Sequence, residues 1–246
     1  MRPQRPGADS AQADTSRRGL RLLPARELAR RYGLTVVFLA LFAAGEIVTA
    51  VLSPHDRAAM QLWTSTNVAN LHHHPVQALI ISAFLAPGSL LAWLALIPLG
   101  MLGANRAFGN WRLLLVCAAG HVIGTLVSEG IVDYRVGHGA LPASWDHIID
   151  IGPSYVVVSA IVIAWLFGSW PARIAALLDF LILVFIGGIF SGLTRLHVAP
   201  VGHVTAMATA LLAGLLLART RPRTTPDQAA GQQPPLPGGP GDPPLA

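Results

Sequence analysis

Residues 150–160 read "DIGPSYVVVSA", and the apolar half of this stretch continues to about Trp170. Glycine allows an abrupt change of chain direction, and proline is favoured at the first helical position. The stretch therefore predicts a helix that starts sharply at Gly152–Pro153 and then stays apolar for about 20 residues. That length crosses a hydrocarbon core of roughly 30 Å. Ser154 falls in the first turn, where backbone N–H groups have no partner within the helix.

Working outward, similar apolar runs recur. The chain has 246 residues, of which 53% are hydrophobic and only 12% charged. This balance excludes an ordinary soluble domain and predicts a polytopic, all-α membrane protein. Six spans are expected, at roughly 34–52, 78–102, 113–131, 151–170, 174–193 and 197–218. The 1–31 segment is Arg-rich and polar, and 220–246 is Pro/Gly-rich. Both are expected to be disordered tails around a membrane domain at 32–219, because neither can bury enough apolar surface. The segment "LRLLPARELARRYG" is expected to lie along the interface ahead of the first span.

All 17 basic residues are arginine. Eight precede the first span; Arg106, Arg112, Arg173, Arg219, Arg221 and Arg223 fall on the same side of a six-span layout. Only Arg57, Arg135 and Arg195 fall on the other. The positive-inside rule then predicts cytoplasmic termini in the cell membrane. The net charge of +5 is thus a topological signal and gives no reason to expect nucleic acid. The single cysteine, Cys117, excludes an internal disulfide and a multi-cysteine metal site, and no metal or cofactor is expected.

In this layout spans two, four and six enter the membrane from the outer face. Ser154 lies near the outer end of span four. His203 lies roughly 9 Å below the start of span six at 1.5 Å per residue. A hydroxyl beside free N–H donors, served by a neutral histidine, is the combination that acyl transfer requires. Ala206, Ala210 and Ala213 follow His203 as a small-residue stripe that lets helices approach closely.

With these residues in view, the sequence resembles the rhomboid intramembrane serine proteases, more closely a bacterial rhomboid-like branch, over roughly residues 33–219. "GPSY" resembles the Gly-x-Ser-Gly motif, and "GHVTAMATALLAG" resembles the histidine segment of span six. "HPVQALIISAFLAPG" is similar to the approach to span two, and "LGANRAFGNWRLLLV" to the turn between spans two and three. The resemblance implies a six-transmembrane-helix rhomboid-like bundle and an intramembrane endopeptidase that cuts transmembrane substrates. Ser154 would be the nucleophile and His203 its base. Backbone N–H groups around Gly152, Ser154 and Tyr155, with Ser89 and Trp93, would serve the oxyanion.

Departures from the family pattern keep a second reading open, an inactive rhomboid-like protein that binds transmembrane partners. Tyr155 stands where the family has glycine after the serine. Asn105 replaces the glutamate of the turn. Ser89 and Trp93 replace a histidine and an asparagine of span two. Val158 stands where the family has a tyrosine, four residues after its serine. Glu46, His121 and Asp179 lie within spans one, three and five and admit a third reading, a small transporter. No internal repeat accompanies them, so they are expected to be structural cross-ties. The run His72, His73, His74 is expected to be a solvated loop.

Overall fold

The computed structural model of the protein describes residues 24–86 and 88–220. Among the described residues all regular structure is helical. Helix α1 spans Ala25–Val51, α2 Pro54–Thr64, α3 Val68–His73, α4 Pro75–Ile81 and α5 Leu90–Phe108. Helix α6 spans Asn110–Gly137, α7 Ser154–Phe167, α8 Trp170–Phe185 and α9 Val198–Arg219. Helices α1, α5, α6 and α9 are long and apolar enough to cross a membrane. The two tails expected to be disordered fall almost wholly outside the described residues. Residues 25–31, expected to form part of a separate interfacial segment, continue directly into α1 as one helix.

Two spans differ from the sequence expectation. The second is not continuous. Helix α4 ends at Ile81, a single 3-10 turn covers Ser82–Phe84, and Leu85 is extended. Gly88 then takes a φ of +105°, and Ser89 caps α5 by accepting the Ala92 N–H at 3.4 Å. The break leaves the Ala86 N–H without a helical acceptor. Glu46 of α1 supplies one, accepting it through Oε1 at 2.8 Å. The fifth span stops at Phe185, ahead of Gly187 and Gly188, the latter with a φ of +61°.

Helix α7 sits at the centre and packs against α5, α6, α8 and α9. Nine of its 14 residues are buried, from Tyr155 to Ala164. An apolar helix with no polar face belongs in the middle of a bundle rather than at its edge. Its length is roughly 21 Å at 1.5 Å per residue, shorter than the hydrocarbon core. One or both of its ends therefore lie recessed among the longer helices. At the N-terminal end the recess is covered by loop. The Thr66 N–H donates to the Asp150 carbonyl at 3.0 Å, and the Asp150 N–H donates to Ser65 Oγ at 2.8 Å. Close approach elsewhere depends on small residues: a Cβ at Gly103 would overlap Ala172, and one at Gly100 would overlap Asp179.

Candidate functional site

The N-terminus of α7 starts as the sequence predicts. Gly152 has a φ of +146°, a setting that L side chains rarely take, and its N–H donates to the Ser82 carbonyl at 2.9 Å. Pro153 is the N-cap residue and Ser154 the first helical residue. Among the described residues the N–H groups of Ser154, Tyr155 and Val156 have no backbone acceptor. These are the free donors expected at a helix start. Gly152, by contrast, has already committed its N–H.

Ser154 is half-buried, and its hydroxyl makes no hydrogen bond among the described residues. It lines a cavity of about 10 Å³ with Thr66, Ser82, His121, Asp150 and Tyr155. Two buried polar atoms there are unsatisfied, Ser82 Oγ and His121 Nδ1. His121 is held by its other nitrogen, which lies 2.9 Å from the Leu79 carbonyl oxygen. A carbonyl can only accept, so Nε2 carries the proton and Nδ1 is left as a bare acceptor.

His203 is 3% exposed on α9 and is held in the mirror-image way. Its Nδ1 lies 3.0 Å from the Ile189 carbonyl, and its Nε2 is buried without a partner. The tautomer is therefore that of a base. No hydrogen bond joins it to Ser154. The group packed against it is Tyr155, whose ring lies edge-on with centroids 5.0 Å apart. Tyr155 also lies 6.0 Å from the His121 ring. Gly202 makes room for this arrangement, because a Cβ there would overlap the Tyr155 hydroxyl.

The Tyr155 hydroxyl donates to Asp150 Oδ2 at 3.0 Å. Asp150 is half-buried in the loop ahead of α7, and burial pushes its carboxyl up to about 6, against the pull of the Tyr155 and Thr66 hydroxyls. From the sequence Tyr155 is expected to act through its backbone N–H, and no role falls to Asp150, the acid its hydroxyl joins, or to Thr66, the second hydroxyl on that acid. The only signal was an acid four residues ahead of the serine.

The other sequence candidates lie apart from this centre. Ser89 is exposed and caps α5, while Trp93 packs at the edge of the apolar core. Neither lines the Ser154 cavity, so the structure does not bring the two expected oxyanion donors to it. Glu46 and His121 each tie one element to another, as expected of cross-ties. Asp179 is fully buried on α8, with both carboxyl oxygens unpartnered. His72 lies 3.8 Å from Asp133, and among the described residues no group of three ligand side chains could hold a metal ion.

A family model described as "Rhomboid-like protein" matches residues 28–224. No curated protein and no solved structure matches the chain.

Proposed function

This chain belongs to the rhomboid-like protein family, and on that premise we propose that it is a multi-pass membrane protein that binds transmembrane partners without cutting them. The observation that carries this reading is the partner of His203. The residue against its ring is Tyr155, and its free Nε2 meets no hydroxyl. In the rhomboid resemblance a tyrosine follows the nucleophile by four residues. Counting back four from Tyr155 gives Ile151, followed by Gly152, as glycine follows serine in Gly-x-Ser-Gly. In that register the nucleophile's place holds an apolar side chain with no chemistry to offer. Ser154 then lies three residues further on, beside Ser82 and His121.

The test is direct. The purified chain is offered an activated fluorophosphonate and a panel of helix-destabilised transmembrane substrates, alongside photo-crosslinking of the same segments. Crosslinking with neither labelling nor cleavage is the expected result. Cleavage lost on Ser154→Ala would overturn it.

That second outcome belongs to the protease reading, which one observation favours. His203 carries its proton on the anchored Nδ1 and presents Nε2 as an acceptor, the form a general base takes. On that reading Ser154→Ala and His203→Ala each abolish cleavage and the double mutant is no worse. Both readings have the chain in the cell membrane, among lipids, with cytoplasmic termini. Reporters placed within 55–75 and 132–149 are then reached from outside intact cells. Labelling that appears only after permeabilisation reverses the orientation.

A further inference from the structure

A cavity of about 850 Å³ opens at the arginine-rich end of the bundle, between α1, α5 and α8. Helix α5 packs against both of the others. Among the described residues its lining holds one charged group, Arg106, and two hydroxyls, those of Tyr32 and Ser169. The rest of the wall is apolar and includes Val36 and Val37 of α1 and Leu102 of α5.

Polarity in this cavity is ordered by depth. Tyr32 precedes Val36 by four residues on α1, and Arg106 follows Leu102 by four on α5, close to its end. Ser169 caps the start of α8. The polar groups thus stand at the helix ends, and the apolar wall lies about 6 Å further in, at 1.5 Å per residue. The polar groups are also uncommitted. Among the described residues Arg106 makes no hydrogen bond or ion pair, and neither hydroxyl makes a hydrogen bond. Other arginines at this end are occupied. Glu27 holds Arg30 and Arg31, and Arg173 donates to the Gly168 and Leu166 carbonyls.

A guanidinium at the mouth, two hydroxyls beside it and hydrocarbon below match a ligand with a phosphate at one end and an acyl chain at the other. Arginine pairs with phosphate through parallel N–H donors, and the hydroxyls can donate to the remaining oxygens. No acid lines the cavity, so a headgroup amine would find no partner there. A free phosphate would leave the apolar wall uncovered. The positive-inside rule puts this end in the cytoplasm, where anionic lipids are concentrated and basic pockets between helices bind their headgroups.

We propose that the cavity between α1, α5 and α8 binds an anionic phospholipid, its phosphate on Arg106 and an acyl chain along Val36, Val37 and Leu102. Ser154 opens α7 and Ser169 lies just beyond its far end, so this site is separate from the Ser154 cavity and is compatible with either reading of function.

Full-length protein in detergent is titrated with dioleoyl phosphatidylglycerol or dioleoyl phosphatidylethanolamine, and bound lipid is read by native mass spectrometry. Wild type is expected to prefer phosphatidylglycerol by about tenfold, the scale of one hydrogen bond to a charged group. Arg106→Gln should remove that preference. Its side chain is exposed and unpartnered, so the fold does not depend on it. Arg112→Gln, at the same end but outside the cavity lining, should keep the preference. Val36→Trp fills the apolar wall from a position 59% exposed and should weaken phosphatidylglycerol by a similar factor with Arg106 intact. Equal binding of the two lipids by wild type, or equal losses in the two arginine variants, overturns the site. Unchanged binding in Val36→Trp, or glycerol phosphate bound as tightly as the lipid, overturns a lipid as its occupant.

Discussion

Two histidines flank Tyr155, and they differ in what their free nitrogen faces. His121 gives its Nε2 proton to the Leu79 carbonyl, keeps a buried Nδ1 without a partner, and stands at the cavity that Ser154 lines. His203 gives its Nδ1 proton to the Ile189 carbonyl and leaves Nε2 in a niche where Tyr155 is the aromatic neighbour. Each ring is fixed in one tautomer by a backbone carbonyl on a different element, so neither is poised by accident. The hydroxyl that the family pattern would give to His203 sits in the cavity of the other histidine. A histidine's tautomer alone therefore says little about catalysis; the neighbour of its second nitrogen decides.

Tyr155 is the wall common to both sites, so its removal should have the largest effect. Tyr155→Ala empties a 3% exposed position and frees Asp150. The expected loss is about 3–5 kcal/mol, as for other large aromatic truncations, read by denaturation in detergent. A loss below about 1 kcal/mol, within the range of surface changes, would mean the ring is not a structural wall. The two histidines come next. His121→Ala and His203→Ala each leave a carbonyl without its donor, at a cost of about 1–3 kcal/mol apiece. Similar losses fit two structural anchors. A cost confined to one variant would break the symmetry between them.

Asp150 gives a smaller, pH-dependent effect. Its carboxyl titrates at about 6 in the folded protein against an ordinary value of 3.8. The folded state thus holds this proton more tightly than the unfolded state. The stability it confers is complete below 3.8 and is lost as pH rises through 6. The unfolding midpoint should fall across that window, modestly because Asp150 keeps contact with solvent. Asp150→Asn should flatten the profile; an unchanged profile would assign the titration elsewhere. Ser154→Ala should have the smallest effect, within about 0.5 kcal/mol, since the hydroxyl makes no hydrogen bond. A larger loss would show that Ser154 does bond within its cavity.

Much of the fold was legible in the sequence because membrane spans obey one dominant constraint. Backbone groups in lipid must be satisfied internally, so a long apolar run is a helix. Runs such as 113–131 and 197–218 announced α6 and α9 without further information. The Gly152–Pro153 start of α7 was legible for a local reason, since φ and capping preferences act over a few residues. The break in span two was not, although "APGS" hinted at it. Its stability depends on Glu46, forty residues earlier, accepting the Ala86 N–H. Burial of α7 was harder to read, because an apolar helix facing lipid and one facing protein have the same composition.

The sequence by itself determined the class, the approximate spans and the residue types available for chemistry. Hydropathy and local backbone preference are nearly additive along a chain, and they suffice for that. Only the tertiary structure decided which side chains meet. It set Tyr155 rather than Ser154 against His203 and brought His121 and Ser154 to the walls of one cavity. Those juxtapositions depend on the rotation of each helix about its axis. A shift of one residue turns a side chain by roughly 100° at 3.6 residues per turn, and packing between helices fixes that rotation.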